Sequence, residues 1–154
     1  MRDWKRLAGL VLAAGFTAAS FDLLAACLIS DKTPAQIMKV ISIGWYGREH
    51  PKGLAETIVG GLSHYGILIV AAAVWGLAGA RLPVLVRRPV LTGLLYGAWI
   101  FVFMRFVVLP LSPVGFTKHW NVTHLIDFAS HLLVGVTIAL IVGLGLKDRL
   151  SANQ

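Results

Sequence analysis

Seven ionisable side chains interrupt apolar stretches of this sequence, where a charge is costly. They are Asp22, Glu56, His64, Arg105, His124, Asp127 and His131. An ionised side chain in lipid loses several kcal/mol of hydration unless a partner or water compensates it. We therefore expect these groups to face one another inside a bundle of helices. There, carboxylates, imidazoles and a guanidinium could form ion pairs, bind protons or bind a ligand.

Two of the histidines stand in similar local sequences. Residues 62–65 (LSHY) are echoed by residues 129–132 (ASHL), as expected if the chain consists of two parallel repeats. Histidines at equal depth on two helices could supply both axial ligands of a b-type haem, so His64 and His131 are candidate haem ligands. With nearby carboxylates they could instead form a metal site or a proton relay that responds to acidification.

Structural roles are open for the same side chains. The two histidines could make interhelical hydrogen bonds without binding any ligand. Arg105 could form an internal ion-pair network with Asp22 and Asp127 that fixes the register of the helices. Zinc is less favoured, because the sequence contains no close His-x3-His or Cys–His ligand set.

Four apolar runs must position these groups, at about residues 7–29, 54–80, 90–111 and 122–146. Each run reaches the roughly 20 residues needed to cross a hydrocarbon core of ~30 Å, and none alternates like a barrel strand. Backbone groups in lipid must bond within their own segment, so helices are expected. Of the 154 residues, 57% are hydrophobic and 14% are charged, which favours a membrane protein over a soluble domain. The sequence thus predicts one all-α membrane domain (1–154), a four-transmembrane-helix bundle.

Lysine and arginine residues predict the orientation of the bundle. Eight of them flank one side, in segments 2–6, 81–88 and 147–149, and five lie in the loops of the opposite side. The positive-inside rule places both termini in the cytoplasm, a topology written N-in/C-in. The net charge of +7 is therefore attributed to membrane topology, and no nucleic-acid partner is expected.

The ionisable groups are unevenly distributed with depth. At ~1.5 Å per helical residue, Asp22, Arg105 and Asp127 lie about 8–10 Å below the periplasmic face, and the two histidines about 14–15 Å. The cytoplasmic halves of the four runs contain no Asp, Glu, Lys, Arg or His. This distribution predicts a polar cavity that opens to the periplasm above a dry apolar half. It argues against a through-going pore, which needs polar lining at both depths.

Two local patterns predict further packing. Residues 34–46 form a candidate amphipathic helix between the first two spans, with Thr33 as N-cap and Gln36 completing a capping box. This helix would lie in the membrane interface or pack as a lid over the bundle. Gly93 and Gly97 form a small-xxx-small step in the third span, which is suited to close contact between helices.

The chain resembles the YagU-like family of bacterial inner-membrane proteins over most of residues 7–146. The resemblance rests on residues 85–97 (LVRRPVLTGLLYG) and 107–113 (VVLPLSP), on the early segment 15–22, and on the two histidine phrases. It implies a bacterial inner-membrane location and a role in acid resistance. It brings no catalytic residues.

These features favour a small inner-membrane protein with a periplasm-facing polar site that serves in acid or envelope stress. The alternatives are a b-type haem electron-transfer protein and an accessory subunit of a larger membrane complex. No nucleophile–base pair is visible, so enzyme activity is not expected, and no cofactor is the leading expectation. Partners are the lipid bilayer and either a second copy of the chain or a larger membrane complex.

Overall fold

Four long helices dominate the molecule. The computed structural model describes residues 2–50, 53–115 and 121–152. All of its regular structure in these ranges is helical, and four helices are long and apolar enough to cross a membrane. The chain is therefore a multi-pass, all-helical membrane protein. The helices are α1 (Arg2–Ser30), α2 (Pro34–Tyr46), α3 (Leu54–Arg81), α4 (Pro83–Arg87), α5 (Pro89–Phe103), α6 (Leu109–Leu111) and α7 (Val122–Ala152).

The third span is interrupted near one end by a wider turn. Residues Met104–Val108, which we call the π segment, form a π-helix between α5 and α6. Pro110 lies two residues after the π segment and has no N–H to donate to the preceding turn, and its ring opposes the α-helical carbonyl four residues earlier. Leu109 donates its N–H to the carbonyl of Met104, five residues back. π segments of this kind are frequent at functional sites.

Helix α7 lies at the centre of the bundle, in contact with α1, α3 and α5. The contact between α5 and α7 depends on glycines. A Cβ atom added at Gly93 would lie 2.7 Å from the Cα of Val136, and one added at Gly97 would overlap the carbonyl oxygen of His131. Gly135 of α7 lies equally close to the α5 backbone. The predicted small-xxx-small contact is confirmed, and it places the α5 backbone directly against the turn that carries His131.

The buried core of one half of the bundle consists of hydrophobic side chains. This apolar half contains the beginning of α1, the end of α3, the beginning of α5 and the end of α7. Trp75 is 2% exposed and packs among Val142, Leu146 and Val86. We call the opposite half of the bundle the polar half. Its buried residues include Ser42, Glu56, His64 and Arg105.

Helix α2 packs along the first turns of α3. Its capping box is confirmed: Gln36 N donates to Thr33 Oγ1 at 3.4 Å, and Thr33 N donates to Gln36 Oε1 at 2.8 Å. Met38 is buried, and its backbone lies so close to Gly60 that no side chain fits there. Trp45 Nε1 donates to Ser63 Oγ at 2.8 Å. These contacts hold α2 on the bundle, and its position in the membrane interface stays a prediction.

Candidate functional site

Three ionisable side chains from three different helices line one cavity in the polar half. The cavity has a volume of about 90 Å³. Its polar wall is formed by Asp22 of α1, His64 of α3 and His131 of α7. Its apolar wall consists of Ile41, Ile67, Leu68, Ile100, Met104 and Val134. At roughly 30 Å³ per molecule of liquid water, a space of this size admits a few waters or one small polar group.

His64 ties α3 to α1. The ring is only 6% exposed, and its Nε2 atom lies 2.9 Å from the carbonyl oxygen of Ala19. A carbonyl oxygen can only accept, so Nε2 carries the hydrogen and donates it. In the neutral ring the other nitrogen, Nδ1, is therefore a lone-pair acceptor. His64 thus makes the interhelical hydrogen bond of the structural interpretation and keeps one atom that can take up a proton.

His131 is oriented by its own helix. Its Nδ1 atom lies 2.9 Å from the carbonyl oxygen of Asp127, one turn earlier, and 3.3 Å from the Asp127 carboxylate. By the same reasoning Nδ1–H is the donor, and Nε2 is the acceptor of the neutral ring. Phe101 meets the imidazole edge to face at a centroid distance of 5.5 Å. The close packing of Gly97 on the His131 backbone fixes this turn of α7 relative to α5.

Asp22 completes the polar wall from α1. Its carboxylate interacts electrostatically with His131, with His64 and with Asp127, and it lies near the hydroxyl group of Ser130. Ser130 Oγ in turn donates to the Asp127 carbonyl at 2.8 Å. Two carboxylates and two imidazoles from three helices are therefore close enough to influence one another's charge.

Glu56 has a different role from the one expected of an intramembrane acid. Its carboxylate accepts from Gly53 N at 2.7 Å and from His50 Nε2 at 2.9 Å, at the first turn of α3. The ring of His50 stacks on that of Tyr46, with centroids 4.8 Å apart. Glu56 thus closes the N-terminus of α3 and holds the α2–α3 loop, and it does not line the cavity.

His124 likewise serves the end of a helix. Asn121 N donates to His124 Nδ1, and His124 N donates to Asn121 Oδ1, both at 3.2 Å. These reciprocal bonds satisfy backbone donors that the first turn of α7 would otherwise leave free. His124 therefore lies at the end of α7, away from the cavity lining.

Arg105 lies in the π segment and is 4% exposed. It directly follows Met104, which lines the cavity. The wider turn of the π segment thus carries both a cavity residue and the buried guanidinium of the polar half. The ion pairs of Arg105 with Asp22 and Asp127 stay a prediction.

Sequence reasoning missed the apolar wall and the anchoring groups. Ile41 reaches the cavity from α2, and no charge or spacing in the sequence singles it out. The carbonyl of Ala19 belongs to the backbone, and only the packing of α1 against α3 reveals its role. The role of His50 was predictable from the sequence. It lies just before α3, whose N-cap is Gly53 and whose first turn contains Glu56, and therefore near the carboxylate of a capping box.

The dimensions of the site bear on the metal and haem alternatives. Among the described residues, no group of three or more His, Cys, Asp or Glu side chains is arranged to hold a metal ion. The cavity of about 90 Å³ is well below the roughly 300 Å³ at which pockets begin to enclose drug-sized ligands. The haem alternative, with His64 and His131 as ligands, stays a prediction.

Comparison of the chain with protein-family models, with curated proteins and with solved structures gives no match. The resemblance to YagU-like proteins accordingly stays a prediction. What the chain does must be inferred from the cavity itself.

Proposed function

We propose that this chain is a small bacterial inner-membrane protein that binds protons from the periplasmic side at Asp22, His64 and His131, and so serves the cell in acid or envelope stress. Both termini lie in the cytoplasm, in accordance with the excess of Lys and Arg beside the apolar half. The polar half then faces the periplasm. The observation that carries the proposal is the convergence of these three proton acceptors on one cavity.

The hydrogen bonds of the two imidazoles support this role. Each ring donates one N–H to a backbone carbonyl, which leaves His64 Nδ1 and His131 Nε2 as acceptors. The Asp22 carboxylate interacts electrostatically with both rings. Histidine is the side chain whose ordinary titration falls between pH 5 and 8. Mild acidification is therefore the condition under which such a site changes its charge.

Proton binding has a structural consequence in this arrangement. Asp22 on α1 and Asp127 on α7 carry like charges that repel each other when the imidazoles are neutral. A proton on His131 or His64 brings positive charge next to both carboxylates, and Arg105 is a buried cation of the same half. Acidification then draws α1 toward α7. The response remains in the polar half, because the buried cluster of the apolar half consists of hydrophobic side chains.

Survival in acid tests the proposed function. Cells that carry His131→Gln or Asp127→Asn in place of the native gene should survive an acid challenge less well than cells that carry His124→Gln. The last variant removes a histidine that lies outside the cavity. Equal survival of all three strains and the wild type would contradict the proposal.

A further inference from the structure

Ile67 lies both on the lining of the cavity and on the outer surface of the bundle. It is 42% exposed although it lines the cavity. It lies thirteen residues after Leu54 in the 28-residue α3, and at ~1.5 Å per residue this is about 20 Å along the helix. This depth lies in the hydrocarbon region of a bilayer. A side chain that faces the lipid thus also forms part of the cavity wall.

Ile67 borders the seam between α3 and α5. Tyr96 Oη donates to the carbonyl of Ala71 at 2.8 Å and bridges the two helices on the side of the apolar half. Beyond this bridge, toward the polar half, the walls are Ile67 and Leu68 of α3 and Ile100 and Met104 of the third span. Across the described residues the backbones of α3 and α5 do not come close to each other, and both helices pack on α7. The seam is thus an apolar cleft that ends in a polar wall.

The polar wall is rich in acceptors. Asp22 offers carboxylate oxygens, and each neutral imidazole has its N–H committed to a backbone carbonyl, so only a lone-pair nitrogen remains. Asp127 adds a second negative charge near the wall. The complementary ligand carries donors and a positive charge. A primary ammonium group has three donors and no acceptor, and its size suits a cavity of about 90 Å³.

We propose that the cavity binds the ammonium head of a single-chain alkylamine that enters from the bilayer between α3 and α5. The head lies against Asp22, His64 and His131, and the alkyl chain lies in the cleft between Ile67 and Met104. This inference rests on the proposed function in one respect: the acceptors that bind the amine are those that bind the proton. The amine and the proton therefore compete for the site. A fatty acid of equal length is excluded, because its carboxylate would face that of Asp22.

Binding of radiolabelled n-decylammonium to the protein in lipid nanodiscs tests the ligand class, with empty nanodiscs subtracted. At about pH 8, where ordinary imidazoles are neutral, we expect saturable binding at one site. Asp22→Asn should weaken it roughly tenfold or more through loss of a charge-assisted bond. Glu49→Gln removes an exposed carboxylate outside the cavity and should bind as the wild type does. Equal affinity in Asp22→Asn and the wild type, or equal binding of n-decanoate, would overturn the proposal.

A second pair of variants tests the route of entry and does not alter the polar wall. Ile67→Trp fills the mouth of the cleft and should reduce decylammonium binding. Leu62→Trp adds the same ring to the same helix at a residue that is 71% exposed and outside the cavity lining, and it should have no effect. Equal binding by both variants would show that the amine does not use this cleft.

The two proposals fail separately. Acid sensitivity of the His131→Gln strain without saturable decylammonium binding would refute the amine site and leave the proton site intact. Saturable, Asp22-dependent binding in a protein whose variants survive acid normally would refute the stress function and leave the amine site intact.

Discussion

His64 Nε2 donates a 2.9 Å hydrogen bond to the carbonyl oxygen of Ala19, and this bond joins α3 to α1 three residues before Asp22. The bond sets the distance between the two helices, and it determines which ring nitrogen of the neutral imidazole carries the hydrogen. Because the bond uses one ring nitrogen, the other is left to take up protons. A single contact therefore has a structural and a chemical role.

Loss of this bond should destabilise the bundle moderately. His64→Phe retains an aromatic ring and removes the donor, so the free energy of unfolding should fall by about 0.5–2 kcal/mol, the range for interhelical hydrogen bonds in membranes. Reversible unfolding in mixed detergent micelles measures the change. His124→Phe, in the first turn of α7, provides a comparison in which the bond between α3 and α1 is kept. A variant at position 64 as stable as the wild type would show that the Ala19 contact contributes nothing.

Gly97 and Gly66 should respond in opposite ways to the same substitution. In Gly97→Ala the new Cβ would lie 2.8 Å from the Cα of Leu132 and would overlap the His131 carbonyl. Overpacking of this kind costs about 1–3 kcal/mol. Gly66→Ala places its Cβ in open space, so it should be neutral or slightly stabilising through improved helix propensity. The free energies of unfolding of the two variants test this difference. Comparable losses would contradict the close packing of α5 on α7.

The neighbours Gly60 and Gly61 test the attachment of α2. A Cβ at position 60 would overlap the backbone of Met38, whereas one at position 61 would meet the Met38 side chain only at 3.9 Å. Gly60→Ala should therefore lift α2 from α3 and increase hydrogen exchange of the amides in residues 34–46. Gly61→Ala should leave this exchange unchanged. The packing of α2 on α3 would be refuted if Gly60→Ala protected these amides as well as the wild type does.

Glu56 should act through helix capping. Glu56→Gln retains an oxygen that can accept from Gly53 N, so it should unfold close to the wild type. Glu56→Ala removes the acceptor and should cost about 0.5–2 kcal/mol, as the loss of helix caps does. Unfolding in detergent distinguishes the two. If both variants lose the same stability, the charge on Glu56 matters more than its bond to the α3 N-terminus.

Much of the architecture could be predicted because membrane and capping rules are local. Four apolar runs require helices in lipid, and the Thr33–Gln36 pair marks the start of α2 from side-chain spacing alone. The Gly93–Gly97 step predicted a close helix contact, and α7 provides it. Each inference needs only residues of one continuous segment of the chain.

The sequence predicted that all seven ionisable groups face one another, but only Asp22, His64 and His131 line the cavity. The difference has a physical reason. His124 shares a face of α7 with His131, yet its position in the first turn commits it to Asn121. Glu56 likewise shares a face of α3 with His64. Its carboxylate is used at the start of the helix, where it accepts the N–H of Gly53. Helical spacing identifies a shared face, but only the ends of the folded helices show which groups are used in capping.

The central claim is that Asp22, His64 and His131 form one proton-binding site, and ¹⁵N NMR of the imidazoles in nanodiscs tests it most directly. The His131 ring should gain a proton as the solution is acidified, and Asp22→Asn should move this protonation toward lower pH by removing a nearby negative charge. The ¹⁵N shifts of His124, outside the cavity, should be the same in the two proteins at each pH. A protonation curve for His131 that is the same with Asp22 or Asn at position 22 would contradict the account.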